Sequence, residues 1–160
     1  MSEKPIILCD LDGTLADCSH RLHHIQPKPY QEGDGEKMVS EKNWSAFFAA
    51  SGEDTPVDHM LKLLSAINRE QFEVWITSGR SDECRPQTEI WLRTFRVKYD
   101  RLIMRKAGDH TDDGILKPSW LSDGTIPKDR VLLAFDDRDR VVKAWRDTGI
   151  PCLQVAQGDF

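Results

Sequence analysis

Apolar, strand-like runs alternate along this chain with helix-like segments, and this alternation constrains the fold more than any other feature. The strand-like runs are continuously apolar and occupy residues 5–10, 72–77, 100–104, 130–137 and 152–156. Between them, apolar side chains recur at helical spacing over residues 57–69, 85–96 and 138–148. Continuously apolar strands separated by helices are typical of a parallel sheet that is covered on both faces. The sequence therefore predicts an α/β fold.

One stretch, residues 18–56, interrupts this alternation. Because 160 residues fit one domain, we expect residues 1–160 to form a single domain, with 18–56 inserted as a small cap over the mouth of the sheet. The stretch contains a polar loop and a short helix-like segment, and its aromatic residues are Tyr30, Trp44, Phe47 and Phe48. These rings have two interpretations: they form the core of the cap, or they stack against a nucleobase of a ligand.

The composition excludes several classes of protein. A net charge of −5 argues against a protein that coats nucleic acid non-specifically, although it allows one that binds a single nucleic-acid end. The four cysteines are scattered without a CxxC pair, so we expect reduced thiols rather than zinc or disulfides. No apolar run approaches the roughly 20 residues that cross a membrane, and the N-terminal apolar stretch is too short for a signal peptide. We therefore expect a cytoplasmic protein with no membrane partner.

Polar side chains follow three of the predicted strands at the point where each strand ends. The first strand runs into Asp10 and Asp12, the second into Ser78 and Arg80 within the motif TSGR, and the fourth into the pair Asp136-Asp137. In open α/β sheets, ligands bind beyond the carboxyl ends of the strands. We expect these groups to meet there, together with Lys117 from a helix-like segment between the third and fourth strands.

Closely packed carboxylates repel one another and need a cation to remain ionised together, and their hard oxygen atoms suit Mg²⁺. A neighbouring lysine can hold a phosphate oxygen and offset negative charge. Each piece also has a plain structural interpretation. Asp10 and Asp12 could belong to a turn, Asp136-Asp137 could cap a helix, and Lys117 could lie on the surface. Their joint occurrence directly after apolar strands favours a functional site.

The order DxDGT, TSGR, lysine and DD resembles the haloacid dehalogenase (HAD) superfamily of phosphohydrolases. The resemblance implies that Asp10 is the nucleophile, which forms an aspartyl-phosphate, and that Asp12 is the general acid and base. It implies that Ser78 hydrogen-bonds the phosphoryl oxygens and that Lys117 neutralises the nucleophile and the phosphate. The implied ligands of Mg²⁺ are Asp10, the backbone carbonyl of Asp12, Asp136 and Asp137.

The C-terminal 28 residues, LAFDDRDRVVKAWRDTGIPCLQVAQGDF, resemble more closely the 3′-phosphatase domains of bacteriophage polynucleotide kinase-phosphatases. Spaced positions elsewhere agree with that family, and Arg21 falls eleven residues after Asp10. The resemblance implies substrate-binding roles for Arg21, Arg80, Arg105, Asp113 and Arg85. Two alternatives remain open: Arg105 and Asp113 could form a supporting ion pair that orients Lys117, and Arg85 could simply open a helix.

These resemblances imply a Mg²⁺-dependent phosphatase that hydrolyses 3′-phosphate termini of DNA or RNA, or 3′-nucleotides, in bacterial or phage-infected cytoplasm. The alternatives are a HAD phosphatase of nucleoside monophosphates or other small molecules, and a non-catalytic phosphate-binding module. The P-loop pattern GxxxxGK[ST] is absent, so we expect no kinase domain, whereas a separate kinase or ligase partner is compatible with the sequence. We interpret His20, His23 and His24 as surface residues rather than metal ligands.

Overall fold

The computed structural model of the chain describes residues 3–26 and 42–158, together with the backbone of residues 28–32 and 35–39. Two of the sequence predictions concern groups outside this description. The side chain of Tyr30 and the last two residues of the C-terminal GDF motif lie outside the described residues.

A five-stranded parallel sheet forms the centre of the molecule. Its strands are β1 (Ile6–Asp10), β2 (Glu73–Ser81), β3 (Arg101–Arg105), β4 (Val131–Asp136) and β5 (Cys152–Gln154). Their order is β3-β2-β1-β4-β5, and every neighbouring pair is parallel. The predicted α/β fold with a parallel sheet is therefore confirmed, and each predicted strand is present.

Two hydrophobic cores sandwich this sheet, because successive side chains of a strand point to opposite faces. Along β1, Ile6 and Leu8 pack into one core, whereas Ile7 and Cys9 pack into the other. The chain forms helices α1 (Trp44–Ala49), α2 (Asp58–Ala66), α3 (Arg85–Thr94), α4 (Asp113–Ser122) and α5 (Asp139–Asp147).

Tryptophans anchor three of these helices to the sheet. Trp120 of α4 and Trp145 of α5 lie in one core, and Trp91 of α3 lies in the other together with the apolar face of α2. The four cysteines are buried and free. None of the described helices is long and apolar enough to cross a membrane.

The stretch between β1 and α2 leaves the sheet at its carboxyl edge and returns to the same place. Its two ends meet where strands Ala16–Asp17 and Thr55–Pro56 pair in antiparallel fashion. Between them lie a 3₁₀ segment, Ser19–His24, an antiparallel hairpin, Lys28–Glu32 with Gly35–Val39, and α1.

The strand order determines where the site lies. β1 occupies the middle of the sheet, with β2 on one side and β4 on the other. The connection from β1 to β2 therefore leaves to one side of β1, whereas β4 lies on the opposite side. Such a reversal leaves a crevice beyond the carboxyl ends of the strands, and the three strands that carry the polar motifs border it.

Candidate active site

Lys117 links the ends of β1 and β4 through two buried ion pairs. Its Nζ lies 2.6 Å from Asp10 Oδ1 and 2.7 Å from Asp136 Oδ2. The interpretation of Lys117 as a surface residue is therefore wrong, because α4 packs Leu116 and Trp120 into a core and holds the lysine against the strand ends. Burial tends to lower the pKa of Lys117, but the carboxylates of Asp10 and Asp136 outweigh it and raise the pKa well above its ordinary value.

Three buried carboxyl groups, those of Asp10, Asp136 and Asp137, form an acidic cluster next to this lysine. Ligand oxygens of the three lie within 4.8 Å of one another. Burial raises the pKa of Asp10 well above its ordinary value even though Lys117 opposes the shift, and Asp136 and Asp137 raise it further. Burial and the charge of Asp136 raise the pKa of Asp137 to about 6. Three carboxylates at this separation therefore favour a bound proton or a cation.

One oxygen of the nucleophile candidate has no protein partner. Asp10 Oδ2 is buried, and no group in the described part of the chain donates a hydrogen bond to it. A buried oxygen without a partner is costly unless a ligand satisfies it. The unpartnered oxygen and the all-oxygen donor set of the acidic cluster fit a hard divalent cation such as Mg²⁺.

Gly13 brings the turn after β1 directly against this cluster. Its φ is +85°, and a Cβ at this position would lie 2.1 Å from Asp137 Oδ2. The turn closes through a hydrogen bond from Gly13 N to Ala16 O of 2.8 Å. A glycine therefore serves both the left-handed backbone and the close approach.

Asp12 lies two residues beyond Asp10 but faces arginines instead of acids. Its Oδ1 accepts hydrogen bonds from Arg21 Nη2 at 2.6 Å and from Arg80 Nε at 2.9 Å. Burial tends to raise the pKa of Asp12, but the charges and hydrogen bonds of Arg80 and Arg21 outweigh it and lower the pKa. Both arginines are completely buried. Neither lines the open cleft that leads from the acidic cluster to the surface.

Asp54, which the sequence analysis did not identify, holds both of these arginines from the other side. Its Oδ1 accepts from Arg21 Nε at 2.7 Å, and its Oδ2 accepts from Arg80 Nη2 at 2.6 Å. His20 Nε2 lies 2.9 Å from the same Oδ1. Asp54 follows no apolar strand, so the pattern that reveals the other acids does not apply. Its role becomes visible only in the structure, where Arg21 and Arg80 are buried and need a second acid to balance their charges.

The ion pair between Arg105 and Asp113, one of the two alternatives from the sequence, is present. Arg138 pairs with the other oxygen of Asp113, where its Nη1 lies 2.5 Å from Oδ2. Arg105 also donates to the carbonyls of Gly79 at 2.8 Å and Thr111 at 2.6 Å. Arg105 therefore ties β3 to the end of β2 and to the loop before α4, which carries Lys117.

Ser78 and Arg85, two further predicted site residues, form hydrogen bonds with backbone groups. Ser78 is completely buried, and its Oγ accepts a hydrogen bond of 3.2 Å from Arg80 N. Arg85 begins α3, where its Nη2 donates to Leu102 O at 3.2 Å and its Nη1 lies 3.4 Å from Glu89 Oε1. Neither Ser78 nor Arg85 is among the described residues that line the cleft.

An open cleft of about 610 Å³ leads from the acidic cluster to the surface. Its floor consists of Asp10, Asp12, Lys117, Asp136 and Asp137. One wall is α1 with Trp44 and Phe48, and the other is the segment 105–113 with the nearby Arg140. The second wall carries the exposed basic groups of Lys106, His110 and Arg140 at the rim. It also carries the acids Asp109 and Asp112, and Arg140 Nε lies 3.4 Å from Asp112 Oδ2.

Three of the four aromatic residues between 18 and 56 pack against one another, as the first of the two interpretations predicts; stacking against a nucleobase remains a prediction. Trp44 stacks against Phe48 with ring centroids 5.8 Å apart, and Phe47 is buried against the edges of both rings. Trp44 nevertheless remains 40% exposed and lines the cleft, with Lys42 Nζ 5.7 Å from its ring centroid. The cluster therefore forms a small core that also presents an aromatic surface to the cleft.

The histidines lie away from the acidic cluster. His20 contacts Asp54, and the rings of His23 and His24 contact each other with centroids 4.0 Å apart. Within the described residues, the one group that could hold a metal ion consists of aspartates alone.

Comparisons with known proteins identify a family and related folds. A family model described as the polynucleotide kinase PNKP phosphatase domain matches residues 4–160. A candidate bifunctional polynucleotide kinase/RNA ligase of Autographa californica nuclear polyhedrosis virus is 28% identical over 148 residues, which cover 92% of this chain and 18% of that protein. A chain in the structure of the Pnkp1/Rnl/Hen1 RNA repair complex is 28% identical with a TM-score of 0.72, over 99% of this chain and 46% of that chain.

A haloacid dehalogenase-like hydrolase of Streptococcus pneumoniae shares the fold, with a TM-score of 0.64 at 15% identity over 94% of this chain and 84% of that chain. The present chain spans less than half the length of the viral relative and of the matched chain in the RNA repair complex. The residues that the family model matches, 4–160, span the sheet, the acidic cluster and Lys117 of this chain.

Proposed function

Because this chain belongs to the family of polynucleotide kinase PNKP phosphatase domains, and is thus a phosphatase with the HAD fold, we propose that it removes 3′-phosphates from nucleic-acid ends. The observation that carries the proposal is the pairing of Lys117 with Asp10 and Asp136 beside an unpartnered oxygen of Asp10. A carboxylate held this way is a competent nucleophile once its charge is balanced.

Asp10, Asp136 and Asp137 would hold a Mg²⁺ ion with their carboxylates, together with the backbone carbonyl of Asp12. The bound ion would offset the negative charge of the carboxylates and of the substrate phosphate. Lys117 contributes the second positive charge, and its two ion pairs fix it between the nucleophile and Asp136.

The reaction proceeds in two displacements that share the same residues. An oxygen of Asp10 attacks phosphorus, the bond between phosphorus and the 3′-oxygen breaks, and Asp12 donates a proton to that oxygen. Asp12 then takes a proton from a water molecule, which attacks the aspartyl-phosphate and releases inorganic phosphate and free Asp10. One residue can serve as acid and then as base because the first step leaves it deprotonated.

The cleft supports a nucleic-acid end as the substrate. Trp44 offers an exposed ring on which a base can stack, and Lys106 and Arg140 at the opposite rim can attract phosphates. The names of the relatives point the same way, because they describe a polynucleotide kinase/RNA ligase and an RNA repair complex. By analogy, we propose that a kinase or ligase acts together with this domain.

Substrate contacts of the individual residues remain predictions. Of the five predicted substrate-binding residues, Arg105 and Asp113 line the cleft. Ser78, Arg21, Arg80 and Arg85 do not line the cleft. For any of them to contact the substrate phosphate directly, the cleft would have to open towards that residue during turnover.

Steady-state kcat/KM on a 3′-phosphorylated oligonucleotide, a 3′-mononucleotide and an aryl phosphate tests the proposal. We expect kcat/KM on the oligonucleotide to exceed that on the aryl phosphate by at least about tenfold, because the aryl phosphate lacks a nucleobase whose stacking contributes about 1–3 kcal/mol. It should also exceed that on the 3′-mononucleotide, because only the oligonucleotide has further phosphates that Lys106 can attract. Asp10→Asn should abolish hydrolysis of all three, whereas Asp129→Asn, a matched change at an exposed acid, should leave it intact. An oligonucleotide that is no better than the small esters would instead identify a small-molecule phosphatase.

A further inference from the structure

A buried cluster of four charges lies behind the cleft. Asp12 and Asp54 face each other across Arg21 and Arg80, so that two carboxylates balance two guanidinium groups. The side chains of Asp54, Arg21 and Arg80 are completely inaccessible, whereas that of Asp12 is 20% exposed and lines the cleft. Only one of the four charged groups can therefore meet a substrate without rearrangement.

Each arginine contacts both acids, and its Nη2 is shared between them. Arg80 uses its Nε for Asp12 at 2.9 Å and its Nη2 for both Asp12 at 2.5 Å and Asp54 at 2.6 Å. Arg21 uses its Nε for Asp54 at 2.7 Å, and its Nη2 for both Asp12 at 2.6 Å and Asp54 at 2.7 Å. Each guanidinium is thus held at two points, which fixes the plane that it presents to Asp12.

Asp54 itself is fixed by the body of the domain. Its backbone carbonyl accepts a hydrogen bond of 2.7 Å from Trp91 Nε1, and Trp91 is buried in the core beneath α3. The next residue, Thr55, pairs with Asp17 in the short antiparallel ladder. The cluster therefore connects the carboxylate of Asp12 to the core through Asp54.

Without Asp54, two buried guanidinium groups would share one carboxylate. An uncompensated buried charge is strongly unfavourable, so at least one arginine would turn away or admit water. Asp12 would then lose the hydrogen bonds of one of its two arginines, and its carboxyl group would no longer be held in one orientation.

From this arrangement we propose that Asp54 is a positioning residue, which holds Arg21 and Arg80 so that Asp12 presents its carboxyl group to the leaving oxygen of the substrate. The inference rests on the proposed function, since it assumes that Asp12 exchanges protons during catalysis. It assigns no contact between Asp54 and the substrate.

The dependence of activity on the leaving group tests this role. A 3′-phosphorylated oligonucleotide releases an alkoxide-like oxygen that needs a proton, whereas 4-nitrophenyl phosphate releases a stable phenolate that does not. General acid catalysis contributes about 10²–10⁴-fold. We therefore expect Asp54→Asn to lower kcat/KM on the oligonucleotide by about 30-fold or more and on 4-nitrophenyl phosphate by less than about threefold.

A second variant keeps the test informative if Asp54→Asn does not fold. Asp54→Glu retains the negative charge but moves the carboxylate by one methylene group, and we expect the same selective loss with a smaller magnitude. A purely structural role would lower both kcat/KM values in parallel, and this result in a folded variant would overturn the inference.

Asp12→Asn, measured alongside, separates this inference from the proposed function. If Asp12→Asn shows the selective loss and the Asp54 variants do not, Asp54 has no positioning role although the proposed function stands. If Asp12→Asn itself affects both substrates equally, the assignment of Asp12 as the general acid is wrong, and the inference about Asp54 is overturned with it.

Discussion

Asp10 and Asp12 come from one strand end, yet their carboxyl groups have opposite surroundings. Burial and neighbouring acids raise the pKa of Asp10, with Lys117 opposing them. Burial also acts on Asp12, but Arg80 and Arg21 overcome it and lower the pKa of Asp12. The lowered pKa of Asp12 suits the ionised form that takes a proton from water in the second displacement, whereas a cation held by Asp10 would lower the raised pKa of this nucleophile and keep it ionised.

The raised pKa of Asp137 predicts how pH acts on the metal-free protein. Because burial and Asp136 shift this pKa from 3.8 to about 6 in the folded state, the folded state holds the proton more tightly than the unfolded chain does. The resulting stabilisation, up to about 3 kcal/mol, is complete below about pH 4 and is lost as the pH rises through about 6. A Mg²⁺ ion held by the ionised carboxylates, as we propose, would stabilise the fold in the opposite pH range.

We therefore expect Mg²⁺ to raise the unfolding temperature clearly at pH 8 and only slightly at pH 5, relative to protein in chelator. Thermal denaturation at the two pH values, with and without Mg²⁺, measures this difference. In Asp137→Asn the difference between the two pH values should shrink. An equal effect of Mg²⁺ at both pH values in the unaltered protein would contradict the prediction.

At the scale of single residues, the sequence predicted the groups that follow apolar strands and missed the one that does not. Asp10, Asp12 and Asp136 occur where an apolar run ends, so a local pattern marks them. Asp54 gains its importance from partners 33 and 26 residues away, Arg21 and Arg80. Pairing over such distances leaves no periodic signal in one sequence.

Among the elements, β2 shows why the apolar pattern of the sequence predicts a strand that is shorter than the observed one. The sequence predicted a strand at 72–77, but β2 continues to Ser81, and its pairing with β3 shifts register between Ser78 and Ser81. Ser78, Arg80 and Ser81 are buried although they are polar. Their burial comes from contacts within the site, which hydrophobicity does not encode.

The short helix α1 provides the aromatic wall of the cleft, and its Trp44 allows a test at the scale of this element. We expect Trp44→Ala to raise KM for the 3′-phosphorylated oligonucleotide about tenfold, because one stacking surface is lost. KM for 4-nitrophenyl phosphate should change little, since this ester reaches the acidic cluster without a nucleobase.

Ile90→Ala is the matched control for Trp44→Ala, because Ile90 is 58% exposed on α3 and does not line the cleft. Trp44→Phe should retain most of the affinity for the oligonucleotide. If Trp44→Ala raised KM equally for both substrates, α1 would act on the site itself rather than on a base.

Across the whole molecule, the segment after β5 supports the acidic cluster from behind. Gly158 O accepts a hydrogen bond of 2.8 Å from Asp139 N, and Gln154 Nε2 donates to Asp137 O at 2.9 Å. A Cβ on Gly158 would lie 2.2 Å from Asp137 O. The far end of the described chain therefore fixes the backbone of a residue that we propose as a metal ligand.

Gly158→Ala should consequently move the Asp137 backbone and weaken Mg²⁺ binding. Changes to groups that orient metal ligands cost about 10–100-fold in metal affinity, so we expect the Mg²⁺ concentration for half-maximal activity to rise at least about tenfold. Gly52→Ala is the control, because a Cβ there meets nothing within 4 Å. An unchanged Mg²⁺ requirement in Gly158→Ala would show that this contact does not support the metal site.

The ion pair between Lys117 and Asp10 joins residues that are 107 positions apart in the chain. During synthesis, Asp10 is made before its positive partner Lys117 and before the remaining acids of the cluster, Asp136 and Asp137. A nascent chain therefore carries the nucleophile long before it can balance the charge of that nucleophile. The proposed site therefore cannot assemble until the chain has been made beyond Asp137, which supplies the last of its acids.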